Sequence, residues 1–97
     1  SGGGVGAVAV TDEGEHLLGI ITDGDLRRML EKYEDVDGLK ATDIMSSSPK
    51  TIGEDELAYN AFQLMEKSSI TQLVVVDKEK RYKGMVHLHD ILKEGVV

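Results

Sequence analysis

The spacing of apolar residues predicts a strand hairpin followed by a helix in the first third of the chain. Two apolar runs, Ala7 to Val10 and Leu17 to Ile21, flank a polar, turn-forming stretch over residues 11–15, which is the pattern of paired strands. A capping-box motif follows, with Thr22 as the N-cap and Asp25 three residues later. Apolar residues then recur at the spacing of one helical face, at Leu26, Met29, Leu30 and Tyr33.

Residues 35–48 lose the helical period and are rich in Asp, Ser and Gly. We predict a linker there, with one helical turn in Ala41 to Met45. A second unit opens at Pro49, where Lys50 to Ile52 is a candidate short strand. The helix that follows has an apolar stripe predicted to face the core, formed by Leu57, Ala58, Ala61, Phe62 and Met65.

The last third of the chain repeats the order of the first. Leu73 to Val76 is a nearly continuous branched run, which predicts a strand buried on both faces, and Tyr82 to Val86 is its partner strand. A final helix is predicted over about Leu88 to Lys93. The second unit therefore has the order strand, helix, strand, strand, helix, whereas the first shows only the last three of these elements.

An internal repeat underlies this order. Residues 6–30 align with residues 71–95 at a constant offset of 65 positions, and apolar positions agree along the alignment. The identical pairs are Val10 and Val75, Asp12 and Asp77, Gly19 and Gly84, and Asp25 and Asp90. Such a repeat indicates one structural unit used twice. Like units commonly pack together and leave a ligand crevice, so function is sought at the repeated strand-to-helix corners.

Composition narrows the class of protein. Of 97 residues, 40% are hydrophobic and 30% charged, which is typical of a soluble globular domain. The net charge of −7 and the four aromatic residues argue against a nucleic-acid-binding surface. Cysteine is absent, which fits a cytoplasmic protein, and no apolar run is long enough to span a membrane. We interpret Ser1 to Gly4 as a lead-in without structure and expect the parent chain to extend upstream.

This order of elements, with Gly-x-x-Thr-x-x-Asp at the strand-to-helix junction, resembles the cystathionine-β-synthase (CBS) domain, which occurs as a tandem pair. The implied fold is α/β (α+β), a pair of small three-stranded sheets each packed with two helices, with the first repeat lacking its opening strand and helix. The implied domains are a partial first repeat at 5–34, a linker at 35–48 and a second repeat at 49–97. The resemblance covers nearly all of residues 6–95.

The resemblance also implies ligand-binding residues. In ligand-binding CBS pairs the hydroxyl residue and the Asp of this motif contact a nucleotide, which here implies Thr22 and Asp25 in the first copy. The second copy has His87 in place of the hydroxyl residue, followed by Asp90, and Lys50 and Thr51 precede it on its opening strand. This second copy includes the opening strand that lines one side of the site and that the first copy lacks, so we expect the second copy to be the occupied site. Thr22 and Asp25 also form an ordinary capping box that needs no ligand.

Three further strings are similar to the CBS pair of arabinose 5-phosphate isomerases: GIITDGDLRR, ITQLVVVD and HLHDILKEGVV. The implied parent interconverts ribulose 5-phosphate and arabinose 5-phosphate for Kdo and lipopolysaccharide synthesis, through an upstream sugar isomerase domain. This chain is then a regulatory module with no catalytic residue and no cofactor of its own. Its implied partners are a nucleotide or nucleotide sugar such as CMP-Kdo, its own isomerase domain and a second copy in a homo-oligomer.

Other hypotheses remain open. A structural dimerisation module without ligand is the main alternative. His87, His89 and Asp90 are candidates for a metal site or an independent hydrolase. At a strand-to-helix junction, however, His87 and His89 need not point the same way, and a third protein ligand would have to come from elsewhere, so we predict no metal site. Arg27 and Arg28 could clamp an anion, although such a pair on an amphipathic helix more often forms a solvated face. The four methionines are interpreted as core or interface residues.

Overall fold

The computed structural model describes residues 6–93 and residue 95, so the predicted lead-in Ser1 to Gly4, with residues 5, 94, 96 and 97, lies outside the described residues. The chain divides into two compact units, with the boundary between Pro49 and Lys50. Each unit contains one three-stranded sheet. The mixed α/β fold with two small sheets, predicted from the sequence, is confirmed.

Unit 1 is built on an antiparallel sheet with the strand order β1-β2-β3. Its elements are β1 (Ala7–Thr11), β2 (Leu17–Thr22), α1 (Asp23–Lys32), α2 (Ala41–Ile44) and β3 (Ser46–Ser47). The predicted hairpin and the predicted helix after it are therefore present. Both helices pack against β2, which is the central strand.

The segment from residue 35 to residue 48 contains more structure than the sequence predicted. The expected helical turn is present as α2, but β3 was not expected and pairs with Gly19 and Ile20 of β2. A two-residue serine strand has neither the branched side chains nor the alternation that marks a strand in a sequence. This strand forms because β2 offers an unpaired edge to the chain as it returns.

Unit 2 shows the full predicted order of strand, helix, strand, strand and helix. Its elements are β4 (Thr51–Gly53), α3 (Ala58–Ser68), β5 (Gln72–Val76), β6 (Tyr82–His87) and α4 (Leu88–Lys93). Strand β5 lies at the centre, parallel to β4 and antiparallel to β6. The core of the unit is formed by Ala61, Met65, Leu73 and Ile91. Helix α3 thus covers β5 and α4 with one apolar face.

The predicted apolar stripe of α3 is wrong at its start. Leu57 is 69% exposed and Ala58 is also exposed, whereas Ala61 and Met65 are buried. Leu57 is the residue before the first helical residue and has an extended backbone, with φ −70° and ψ 144°. Its side chain therefore does not follow the direction that the helical period assigns to it. The buried face of α3 begins one turn later than the sequence indicates.

The internal repeat holds element by element. Strand β5 lies 65 positions after β1, β6 lies 65 positions after β2, and α4 starts 65 positions after α1. The register irregularity at Val10 and Thr11 recurs at Val75 and Val76. Even the turns match, since the carboxylates of Asp12 and Asp77 each accept two backbone N–H bonds from residues two and four positions later.

The repeated glycine is required for a different reason in each unit. A Cβ at Gly19 would lie 2.5 Å from the carbonyl oxygen of Ser46 and 2.7 Å from Sδ of Met45, so only glycine lets β3 approach β2. Gly84 has open space around it, but its φ is +155°, a conformation that residues with a Cβ rarely adopt. One sequence identity thus reflects close packing in unit 1 and backbone conformation in unit 2.

Candidate functional site

The corner between β2 and α1 carries the first predicted site. Thr22 has the extended backbone of an N-cap, and its hydroxyl oxygen accepts a hydrogen bond from the backbone N–H of Asp25 at 3.2 Å. The carboxylate of Asp25 accepts in return from the backbone N–H of Thr22 at 2.9 Å. This is the capping box predicted from the sequence.

Asp25 is the most constrained charged group in the described part of unit 1. Its side chain is 4% exposed, and both carboxylate oxygens are occupied. One oxygen accepts from the N–H and the hydroxyl of Thr22, and the other accepts from Arg28 at 2.6 Å and from the hydroxyl of Ser46 at 2.8 Å. Four donors on a buried carboxylate satisfy its hydrogen-bonding needs without a ligand.

These contacts fix the ionisation state of Asp25. Burial alone raises the pKa of a carboxyl group because it removes water from the charged form. The hydrogen bonds from the backbone of Thr22, from Arg28, from Ser46 and from the Thr22 hydroxyl outweigh that effect and lower the pKa of Asp25 to about 2. Asp25 is therefore an anion at neutral pH. A ligand hydroxyl would have to displace Arg28 or Ser46 to reach it.

Two of these partners were not identified from the sequence. Arg28 stands three residues after Asp25 on the same helix, a spacing at which opposite charges meet, so the pair was detectable. Ser46 is 21 residues away from Asp25 and comes from the unpredicted strand β3. No local pattern marks that contact, because the return of the chain to β2 brings it about.

The corner between β6 and α4 carries the second predicted site and differs sharply from the first. His87 ends β6, and Asp90 is the third residue of α4, so both occupy the positions of Thr22 and Asp25. Asp90 is exposed, and its carboxylate accepts no hydrogen bond from the described residues. The aspartate at this position of the repeat is thus buried and hydrogen-bonded in unit 1 and exposed in unit 2.

Lys50 and Thr51 lie at the same end of the unit 2 sheet as His87. Thr51 pairs with Val74 and His87 pairs with Gln72, so both flank the start of the central strand β5. Two strand spacings, about 10 Å, separate the outer strands. The backbone carbonyl of Lys50 is tied to this edge, since it accepts from the N–H of Val74 at 3.3 Å. Lys50, Thr51 and His87 therefore lie along one edge of the unit 2 sheet, and Asp90 follows His87 in α4.

His87 and His89 do not form a metal site with a third group. Among residues 6–93 and 95, no cluster of three or more His, Asp or Glu side chains is placed to bind a metal ion. Within the same described residues, no helix has the length and the apolar character needed to cross a lipid bilayer.

Two cavities lie elsewhere in the units. One, of about 270 Å³, lies in unit 1 beside α1, α2 and β3. The other, of about 210 Å³, lies in unit 2 at the far ends of β4 and β5 and is lined by four carboxylates, those of Glu54, Asp55, Glu56 and Asp77. Lys78 also lines it, but the carboxylates outnumber this cation, so the lining disfavours anions. Neither cavity contains Lys50, Thr51, His87 or Asp90.

The repeated sheet-and-helix unit with its Gly-x-x-Thr-x-x-Asp corner is that of a known domain class. The chain belongs to the CBS domain family, whose model matches residues 2–32 and 41–96. Several of the relatives that it matches are named arabinose 5-phosphate isomerases. Over 94 residues, the chain is 42% identical to arabinose 5-phosphate isomerase KdsD of Pseudomonas aeruginosa, covering 97% of this chain and 29% of that protein. It is 38% identical over 85 residues to isomerase KpsF of Escherichia coli, covering 88% of this chain and 26% of the relative.

The predicted resemblance to the CBS pair of these isomerases is thereby confirmed. The chain spans less than a third of the length of the curated relatives it matches. Among solved structures, the CBS domain pair of protein MJ0100 in complex with 5′-methylthioadenosine and S-adenosyl-L-methionine has a TM-score of 0.74 and 29% identity, covering 93% of this chain and 69% of that one. The cytosolic domain of the Mg²⁺ channel MgtE in complex with ATP has a TM-score of 0.74 and 26% identity, and the match covers 91% of this chain and 33% of that one.

Proposed function

We propose that this chain is the regulatory ligand-binding module of an arabinose 5-phosphate isomerase and that it binds a nucleotide or nucleotide sugar at the β6–α4 corner. The relatives named as such isomerases support the parent activity. The similar CBS structures contain 5′-methylthioadenosine, S-adenosyl-L-methionine or ATP, which supports a nucleotide ligand. The ligand acts on an isomerase domain of the same protein, in the cytoplasm.

The observation that carries the proposal is the difference between the two corners. Asp25 has four donors of its own, whereas Asp90 is exposed and has none among the described residues. An ionised carboxylate accepts the two neighbouring hydroxyls of a ribose well. Lys50 and His87 at the same end of the sheet can donate to a phosphate. Unit 2 therefore offers both halves of nucleotide recognition.

Regulation follows if the ligand has different affinities for two arrangements of the parent protein. CMP-Kdo is our candidate effector, because the end product of the pathway of arabinose 5-phosphate is a natural feedback signal. An adenine nucleotide fits the same contacts, since the Asp90 carboxylate and the N–H donors of Lys50 and His87 recognise ribose and phosphate rather than a base.

Calorimetric titration tests this proposal. We expect saturable heat with at least one of AMP, ATP, CMP and CMP-Kdo, and we expect Asp90→Ala to weaken that binding about tenfold or more, because hydrogen bonds to a charged group contribute about 1.5–3 kcal/mol. Asp23→Ala is the matched control, since it removes the same charge from an exposed position in the first turn of α1. Equal affinities of the wild type and Asp90→Ala for every ligand would refute the site.

A second function, self-association, is favoured by one apolar face of α1. Leu26 is 43% exposed and Leu30 66% exposed, whereas Ile91, the repeat equivalent of Leu26, is buried under α3. We propose that a second copy covers this face. Sedimentation equilibrium should then give a mass above the 10.6 kDa of one chain, and Leu30→Glu should restore the single-chain mass. A wild-type mass that stays monomeric at millimolar concentration would contradict the proposal.

A further inference from the structure

The unit 1 cavity lies beside the β2–α1 corner, with Asp25 among its lining residues, and has the chemistry of a binding site. Its volume is about 270 Å³, and its walls come from the second half of α1, from α2 and from the residues that lead into β3. Arg28 and Lys32 form a cationic wall. Met29, Met45 and Tyr33 supply apolar surface around it. This combination of a few convergent polar groups with an apolar lining is characteristic of small-molecule sites.

The cavity has hydrogen-bond donors that the protein itself does not use. The guanidinium of Arg28 gives one N–H to Asp25, and its other N–H groups have no acceptor among the described residues. The ammonium of Lys32 lies 5.4 Å from the centre of the Tyr33 ring, without a carboxylate partner among the described residues. Two positive groups that line one cavity, with most of their donors unoccupied within the protein, favour an anion with several acceptor oxygens.

The acceptors in the cavity are fewer. Both oxygens of Asp25 are already bonded, and one oxygen of Asp43 accepts the backbone N–H of Lys40 at 2.8 Å. The second oxygen of Asp43 accepts no hydrogen bond from the described residues, and Asp43 lines the cavity. The polar complement of the cavity is therefore a phosphate or carboxylate group together with a hydroxyl donor. The apolar wall suits the carbon face of a small ring.

Size limits the ligand further. Sites for drug-sized molecules have volumes of about 300–1,000 Å³, so a cavity of about 270 Å³ suits something smaller. We infer that unit 1 binds a small phosphorylated polyol or monosaccharide, with its phosphate on Arg28 and Lys32 and a hydroxyl on Asp43. Thr22 does not line this cavity, and it shares no residue with the β6–α4 corner. The inference therefore stands independently of the nucleotide site proposed above.

The methionine methyl groups are suitable probes of this site. Met29 and Met45 line the cavity, whereas Met65 is a core residue of unit 2 and Met85 lies on β6 close to His87. Titration of methyl-¹³C-methionine protein with ribose 5-phosphate should shift the Met29 and Met45 signals with saturation below about 10 mM, while Met65 stays unchanged. A nucleotide bound at the β6–α4 corner would move Met85 instead, so the two proposals succeed or fail separately.

Matched variants complete the test. Arg28→Gln and Lys32→Gln should each weaken the binding of ribose 5-phosphate about tenfold. Arg27→Gln, which removes the same charge from the neighbouring residue outside the cavity, should change it less than about twofold. Arg28 also bonds Asp25, so Arg28→Gln can fail to fold. In that case the result for Lys32→Gln alone tests the site. The inference is overturned if neither variant weakens binding, if Met29 and Met45 do not shift, or if inorganic phosphate binds as tightly as ribose 5-phosphate.

Discussion

Replacing Leu73 with alanine is expected to lower the free energy of unfolding of unit 2 by about 3–4 kcal/mol. Leu73 lies on the central strand β5, is 1% exposed, and belongs to the cluster with Ala61, Met65 and Ile91. Its removal loses the transfer free energy of the buried methyl groups and leaves a cavity that a core enclosed by a sheet and two helices does not fill. The loss should lower Tm by about 10–20 °C, measured by calorimetry.

The internal repeat supplies the control for this prediction. Val8 occupies the position of Leu73 in unit 1 and is 64% exposed, so Val8→Ala should cost less than about 1 kcal/mol. Urea unfolding, followed by helix signal and by the methionine methyl groups of each unit, measures both changes separately. Comparable losses in the two variants would mean that Val8 is as well covered as Leu73 when the protein is in solution.

Much of the fold follows from two periodicities in the sequence. Branched runs of four to six residues identify β1, β2, β5 and β6, and the repeat at 65 positions confirms each assignment from a second copy. Strand β3 and the exposure of Leu57 were missed for opposite reasons. Two serines carry no strand pattern and pair because an edge is available, whereas Leu57 fits the helical pattern but precedes the first helical residue.

The candidate sites were less accessible to sequence reasoning than the elements that carry them. Sequence alone places Thr22, Asp25, His87 and Asp90 at two equivalent corners, and the structure puts them there. Sequence alone does not show whether such a carboxylate is buried and bonded within the protein, as in Asp25, or exposed, as in Asp90. In unit 1 that distinction depends in part on Ser46, which reaches Asp25 through β3. Long-range contacts of this kind have no local signature.

The unequal partners of the two corners suggest a division of roles between the copies. In unit 1 the motif aspartate joins α1 to β3, and β3 immediately precedes the start of unit 2. In unit 2 the same aspartate is left without a partner among the described residues. The repeated aspartate thus has a structural contact in unit 1 and is exposed in unit 2. The roles can be separated by experiment because the positions are equivalent.

Asp25→Ala is expected to destabilise unit 1 by about 2–4 kcal/mol, because it leaves the hydroxyl of Ser46 and the backbone N–H of Thr22 without their buried acceptor. Asp90→Ala changes the equivalent residue, which is exposed, and should cost less than about 0.5 kcal/mol while weakening nucleotide binding. Chemical unfolding at pH 7 measures both. A large loss of stability in Asp90→Ala and none in Asp25→Ala would reverse the assignment of roles.

The pH dependence of the stability of Asp25→Ala, compared with the wild type, provides an independent check on Asp25. Its pKa is about 2 in the folded protein and about 3.9 in the unfolded chain, so folding favours the ionised form. The resulting contribution, about 2–3 kcal/mol, is present above pH 4 and is lost as the pH falls from about 4 through 2, since the unfolded state binds the proton first. The stability difference between the wild type and Asp25→Ala should therefore shrink by about that amount between pH 5 and pH 2. Comparing the wild type with Asp25→Ala removes the acid sensitivity of other carboxylates such as Asp12 and Asp77, because both proteins contain them. A stability difference that stays constant between pH 5 and pH 2 would show that Asp25 is not the buried anion described.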